Sequence, residues 1–224
     1  MSTEATKAEL NEAITDEFSV KYSKDGRKLL KVPQKLKGTY AIKEGTKIIC
    51  NMVFCECDSL NSVVIPDGVA VIGNDAFSYC ESLKSIIIPD SVTSIGESAF
   101  KGCSSLKRVV LPNSLWCLDQ YAFQNCSSLV DIVIPNSVTY INGSVFKGCS
   151  SLKSMIIPDS VTCVYSCLFQ DCVSLESVVL SNNMTSIDDS LFEGCSSLKS
   201  HYLMLMVKLL LILLNHNYLY NYYE

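Results

Sequence analysis

The sequence predicts a repeat solenoid, a single curved domain in which short coils of the chain stack on one another. Phe, Cys and Leu each recur every 23 residues along most of the chain. One coil cannot bury its own apolar face, so a continuous core requires several stacked coils. The three columns are Phe54, Phe77, Phe100, Phe123, Phe146, Phe169 and Phe192; Cys57, Cys80, Cys103, Cys126, Cys149, Cys172 and Cys195; and Leu60, Leu83, Leu106, Leu129, Leu152, Leu175 and Leu198.

The repeat unit at residues 83–103 illustrates what each segment predicts. Residues 86–88 form a β-branched run of three isoleucines, which favours a short strand. Pro89 ends that strand because proline cannot donate a hydrogen bond to a ladder. Residues 92–95 return apolar side chains to the core and predict a second short strand. Residues 97–100 then predict one helical or 3₁₀ turn.

The consensus of these units resembles the BspA-like class of leucine-rich repeats. It reads Leu-x-x-Val-x-Ile-Pro-x-x-Val-x-x-Ile-Gly-x-x-Ala-Phe-x-x-Cys and covers roughly 70% of the chain. The resemblance implies a leucine-rich-repeat solenoid, a right-handed superhelix of parallel β-strands with short turns and 3₁₀ or helical segments. It also implies a protein-binding module of the surface-antigen or adhesin type, whose partner is a host or matrix protein.

The repeats divide the chain into four parts. Residues 1–17 form an acidic lead, either helical or disordered. Residues 18–39 predict a hairpin with an Asp25-Gly26 turn, followed by a link. We expect this hairpin to cap the open edge of the solenoid. Residues 40–200 hold seven repeats, and residues 201–224 are an aberrant hydrophobic tail rich in Tyr and Asn.

The tail allows three interpretations. Residues 202–214 are apolar, but they contain Lys208 and fall short of the roughly 20 residues that a spanning helix needs. Membrane association through them is therefore one interpretation, and a helix that caps the last coil is a second. The third is a shifted reading frame after a truncated repeat array, which would make the chain a non-functional family copy. The abrupt end of the repeat pattern slightly favours the third.

Composition and charge narrow the classes of function. The formal net charge is -5 and Lys and Arg are scattered, which argues against a nucleic-acid partner. No basic segment followed by an apolar one opens the chain, so no secretory signal is predicted. The in-phase cysteines predict buried free thiols and a reducing compartment. These features favour an intracellular protein–protein interaction scaffold, the alternative to the cell-surface location that the resemblance implies.

We expect no enzymatic activity, cofactor or metal site. The two histidines, His201 and His216, both lie in the tail, and no nucleophile elbow, P-loop or dinucleotide motif occurs. Thiols in the Cys column lie about 5 Å or more apart on parallel chains, too far for a disulfide. The Asp and Asn residues that follow proline predict Asx turns rather than a calcium ladder; they are Asp67, Asp90, Asn113, Asn136, Asp159 and Asn182.

A partner-binding face is predicted from the middle residue of each strand. When Ile86 and Ile88 face the core, Ile87 points the other way, and its equivalents form an apolar stripe on the sheet. Strand propensity alone is the alternative explanation for the same residues. Charged and variable columns run beside them. The candidate face comprises Val64, Ile87, Val110, Val133, Ile156 and Val179, with Lys84, Lys107, Arg108, Asp131, Lys153 and Glu176.

Overall fold

The computed structural model of the chain describes residues 2–184, 187–188 and 190–198. The hydrophobic tail at 201–224, with the proposed membrane association through 202–214, lies outside the described residues, as do the last two residues of the seventh repeat. Across the described residues, no helix combines the length and apolar character needed to cross a bilayer.

The described chain contains one short helix and sixteen short strands. The helix is α1, Lys7–Asn11. The strands are β1 Ile14–Thr15, β2 Lys21–Tyr22, β3 Lys28–Lys31, β4 Gly38–Ala41, β5 Ile48–Ile49, β6 Leu60–Val64, β7 Val71–Ile72, β8 Ser85–Ile87, β9 Ser94–Ile95, β10 Arg108–Val110, β11 Cys117–Leu118, β12 Asp131–Ile132, β13 Tyr140–Ile141, β14 Ser154–Ile156, β15 Cys163–Val164 and β16 Ser177–Val179.

Each of the first six coils contributes two strands, and the seventh contributes β16 within the described residues. Each of these strands pairs in parallel with an equivalent strand one repeat away. On one side Arg108 pairs with Ser85, and on the other Tyr140 pairs with Cys117. The first side has the orders β12-β10-β8-β6-β4 and β14-β16; the second has β1-β2-β3-β5-β7-β9 and β11-β13-β15. The predicted parallel β-solenoid is confirmed, including the second strand of each of the first six coils.

The Phe column forms the centre of the core. The rings from Phe54 to Phe192 stack face to face, with neighbouring centroids 4.8 to 6.0 Å apart. The Phe rings up to Phe169 are fully buried. Stacked, buried rings contribute both their area and their mutual contact to the stability of neighbouring coils. This column therefore joins the repeats into one continuous core.

The Cys column does more than fill space. From Cys80 to Cys195, each thiol Sγ donates to the carbonyl oxygen of a Phe in the preceding coil, over 3.0 to 3.2 Å. That same carbonyl also accepts from a Cys backbone N–H within its own coil, as Phe77 does from Cys80. The sequence predicted a small buried hydrophobe, and the structure adds a hydrogen bond that links each coil to the preceding one.

The predicted helical or 3₁₀ turn at residues 97–100 is replaced by turns that bond to the next coil. Ser98 has a φ of 56°, in the left-handed region that a right-handed helix excludes. Its N–H donates to the Gln120 carbonyl at 2.9 Å, and the Phe100 N–H donates to the Ala122 carbonyl at 2.9 Å. The backbone here thus forms a third inter-coil ladder instead of a helix. Positive φ recurs at Asp75, Tyr121, Ser144 and Cys167.

The chain before the first coil covers the edge of the stack. β2 and β3 pair as an antiparallel hairpin, and β3 then pairs in parallel with β5 of the first coil. The acidic lead is ordered: Thr6 and Glu9 form a capping box on α1, and the Thr3 carbonyl accepts from the Asn51 N–H at 2.9 Å. The link is shorter than predicted, because the first coil strand already begins at Gly38.

Candidate functional site

The middle residues of the first-side strands lie on the surface as an apolar stripe. Their neighbours in sequence, such as Ile86 and Ile88, are each 2% exposed, whereas Ile87 is 69% exposed. Strand alternation accounts for the contrast. We call these six residues the stripe; their exposed fractions are Val64 53%, Ile87 69%, Val110 42%, Val133 74%, Ile156 67% and Val179 57%.

Strand register aligns the stripe across the coils. Ile87 lies directly beside Val110, and Ile156 beside Val179. Val133 follows Ile132, which pairs with Val109, so it continues the same line. The stripe is thus one contiguous row parallel to the stack of coils, in which the two most exposed side chains are Val133 and Ile87.

The strand ladder under the stripe is interrupted at one place. β12 pairs with β10 and β14 pairs with β16, but no ladder joins β12 to β14 among the described residues. Two shallow clefts of about 310 Å³ each flank Val133. The first lies between Val110 and Val133 and includes Arg108 and Asp131; the second lies between Val133 and Ile156. The clefts are recesses in the face on either side of Val133.

A basic border runs along the side of the stripe where each strand begins. We define it by its four exposed cations, Lys84, Lys107, Arg108 and Lys153. Asp131 interrupts this border in the fifth coil, and Glu176 ends it in the seventh. The salt bridges found among the described residues join Lys24 to Glu12 and Lys28 to Glu9. Within that part of the chain, the basic border therefore has no carboxylate partner.

An acidic border runs along the opposite side, where each strand ends. Its carboxylates are Asp67, Asp90 and Asp159, and all three are exposed. The Asp90 carboxylate accepts from the Asn113 backbone N–H at 2.8 Å, and Asp159 does the same for Asn182. These bonds from Asn182 lower the pKa of Asp159, so that carboxyl stays charged near neutral pH. The prediction of local Asx turns is therefore wrong for Asp90 and Asp159, because each carboxylate accepts a hydrogen bond from the next coil instead.

Exposed aromatic side chains next to the second-side strands were not identified from the sequence. Trp116 is 59% exposed and Tyr165 is 44% exposed, and the Tyr165 ring contacts Tyr140 with centroids 5.1 Å apart. Trp116 occupies the position that Thr93 and Thr139 hold in neighbouring coils, and this break in the column was the available signal. Exposed aromatic side chains are enriched at protein interfaces.

The buried thiols are chemically protected. Burial raises the pKa of Cys103 and of Cys149 to about 12, and that of Cys117 to about 11. Such thiols stay protonated at neutral pH and are poor nucleophiles and poor metal ligands. In the described part of the chain, no three His, Cys, Asp or Glu side chains are grouped as a metal site would require. His201 and His216 lie outside the described residues.

The repeat geometry agrees with comparisons to known proteins. A profile of the BspA type leucine rich repeat region matches residues 37–130 and 117–210, with six copies of the repeat. The match covers well over half of the chain. No curated protein sequence matches this chain.

Solved structures share the fold. A leucine-rich-repeat protein from T. pallidum is 27% identical with a TM-score of 0.73, over 92% of this chain and 95% of that one. A leucine-rich-repeat protein from Eubacterium ventriosum is 22% identical with a TM-score of 0.58, over 84% of this chain and 51% of its own length. The pneumococcal vaccine antigen PcpA is 22% identical with a TM-score of 0.60, over 84% of this chain and 42% of its own length.

Proposed function

This chain belongs to the BspA type leucine-rich-repeat family, and we propose that it is a protein-binding module whose contact surface is the stripe with its charged borders. The observation that carries the proposal is the exposure of six β-branched side chains in one row, between 42% and 74% each. A contiguous exposed apolar row flanked by polar residues is typical of a protein-interaction surface.

The energetics of the stripe favour a functional explanation over strand propensity alone. β-Branched residues do stabilise strands, but Thr favours a strand as well and would expose a hydroxyl group to water. Every stripe position instead has Val or Ile. Each leaves in water an apolar side chain whose full burial contributes about 1.5–3 kcal/mol. A partner that covers several of them gains the share of that free energy that corresponds to their exposed fractions, 42% to 74%.

A capture experiment tests this function. We would compare the wild-type chain with the triple variant I87S/V133S/I156S, using source-cell and extracellular-matrix protein fractions. Quantitative mass spectrometry should find at least one protein that the wild type retains and the triple variant loses. V173S is the matched control, because Val173 is 44% exposed but lies outside the stripe. Identical sets of retained proteins for all three chains would refute the proposed contact surface.

A finer proposal concerns where the module acts. We propose a surface antigen or adhesin, a role supported by the resemblance to BspA-like proteins. Fold similarity to the pneumococcal vaccine antigen is compatible with that role. Proteolytic shaving of intact source cells tests it: peptides of this chain should be released without lysis.

An intracellular scaffold is the second candidate, and the thiols are the observation that favours it. All twelve cysteines are free, and Cys55, Cys163 and Cys167 are only half-buried. Half-buried thiols are prone to oxidation in an oxidising compartment. Complete protection of the chain from shaving until the cells are lysed would favour the scaffold and exclude the surface role.

A further inference from the structure

We propose that the stripe docks an amphipathic α-helix of a partner protein, lying parallel to the stack of coils with acidic residues on one flank and basic residues on the other. The inference deepens the proposed function and rests on it. It follows from three features of the stripe: its spacing, its clefts and its two oppositely charged borders.

The spacing of the stripe matches a helix better than a strand. The stripe presents one side chain per coil, and paired strands lie about 4.7–4.9 Å apart. A helix presents one apolar residue per turn of about 5.4 Å. An extended strand presents a side chain on one face only every two residues, about 6.6–6.8 Å apart. Over three successive coils a helix therefore departs from register by about 1 Å and a strand by about 4 Å.

The coils at the centre of the stripe are less tightly stacked than the first coils. The missing ladder between β12 and β14 lies between the coils of Phe146 and Phe169, whose ring centroids are 5.9 Å apart, compared with 4.8 Å for Phe54 and Phe77. The clefts on both sides of Val133 are placed to receive successive apolar side chains of the helix.

The two charged borders indicate which charges the docked helix carries on its two sides. Lys84 and Asp90 lie three residues before and after Ile87, and Lys153 and Asp159 stand in the same relation to Ile156. At about 3.3 Å per residue, each border lies about 10 Å from the stripe. A helix with its side chains is about 10–12 Å across, so its flanking residues face the borders. Acidic residues on one flank and basic residues on the other then complement both sides at once.

Designed peptides test the proposal on the full chain. Three helical 18-residue peptides carry the same leucine stripe and differ in their flanks: Glu on one side and Lys on the other, Glu on both, or Lys on both. A fourth peptide has the mixed flanks and central prolines that prevent helix formation. Fluorescence anisotropy at two salt concentrations gives the dissociation constants. The mixed-flank helix should bind at least about fivefold more tightly than each of the others.

Charge reversal supplies the decisive comparison. K84E/K107E/R108E/K153E makes both borders acidic, so this variant should prefer the helix with Lys on both flanks. I87S/V133S/I156S should weaken binding of the mixed-flank helix at least about tenfold, and V173S should leave it unchanged. Circular dichroism and urea midpoints should show that all variants remain folded.

The outcomes separate the two proposals. Equal binding of the mixed-flank helix and its proline-containing form would overturn the helix inference, as would an unchanged preference in the charge-reversed chain. Absence of binding by every peptide would also overturn it. In each case, a natural partner whose capture still depends on the stripe would leave the proposed function standing. Loss of stripe dependence in the capture experiment would remove both.

Discussion

The Phe column and the stripe repeat with the same 23-residue period, and every member of both is apolar, yet they have opposite environments. Phe123 is fully buried, and its ring stacks on Phe100 at 5.4 Å. Val133, ten residues later, is 74% exposed. Periodicity in a solenoid therefore identifies equivalent positions but does not distinguish core from surface. The repeated Phe residues stabilise the fold, and we infer that the repeated Val and Ile residues of the stripe contact a partner.

Truncation of a side chain in the Phe column should cause the largest loss of stability. Phe123→Ala should lower the free energy of unfolding by about 3–5 kcal/mol, because it removes a buried ring and leaves a cavity between two neighbouring rings. Urea unfolding followed by circular dichroism measures the change. In a stack of nearest-neighbour coils the transition should also broaden or split, because the two halves become less coupled.

The matched control is the exposed phenylalanine of the N-terminal hairpin. Phe18 is 53% exposed and contacts the Tyr40 ring edge-on at 5.7 Å. Phe18→Ala should cost no more than about 1.5 kcal/mol, the range of an aromatic pair. A cost below about 1 kcal/mol for Phe123→Ala would contradict a core role for the Phe column.

The Cys column should show a smaller effect. Cys126→Ala removes a buried thiol and its hydrogen bond to the Phe100 carbonyl, 3.2 Å away. That carbonyl keeps its bond from the Cys103 N–H. We therefore expect a loss of about 1–2 kcal/mol in unfolding free energy, measured in urea. Cys163→Ala, at a half-buried position outside the column, should cost less. A loss below about 0.5 kcal/mol for Cys126→Ala would contradict a stabilising role for the buried thiol and its bond.

The sequence was sufficient for the strands of each coil but not for the turns. The β-branched run before Pro89 and the return of Val92 and Ile95 predicted both strands correctly. The left-handed residue Ser98 was not predictable, because it is not a glycine and its N–H bonds to a carbonyl of the next coil. Such a conformation depends on the neighbouring repeat, which local propensity does not include.

Only part of the candidate surface could be predicted from the sequence. Strand alternation placed Ile87 and its equivalents on one face. The interruption between β12 and β14 and the clefts beside Val133 depend on the relative placement of neighbouring coils and leave no motif. The bond from the Asn113 N–H to Asp90 likewise crosses between coils.

Alkaline pH should affect the buried thiols selectively. Burial raises the pKa of Cys103 to about 12 from 9.0, so the folded chain resists an ionisation that the unfolded chain undergoes. Stability from this group is fully present below about pH 9 and is lost as the pH rises towards 12. The loss should be about 1.4 kcal/mol per pH unit in that window.

Urea midpoints at pH 7, 8 and 10 test the alkaline prediction. The difference in stability between the wild type and Cys103→Ala should be constant from pH 7 to 8, where the thiol is protonated in both states. It should shrink by pH 10, because only the wild type loses the contribution of this thiol. A difference that stays constant up to pH 10 would mean that Cys103 is open to solvent.

The smallest expected effect concerns the stripe itself. Val133→Ser changes a side chain that is 74% exposed, so little apolar area is lost from the folded state. The free energy of unfolding should change by less than about 0.5 kcal/mol, as for most surface substitutions. Val138→Ser, at a fully buried position of the same coil, should cost several times more. A cost above about 1 kcal/mol for Val133→Ser would mean that the stripe stabilises the sheet, and strand propensity would then be the better explanation for its six residues.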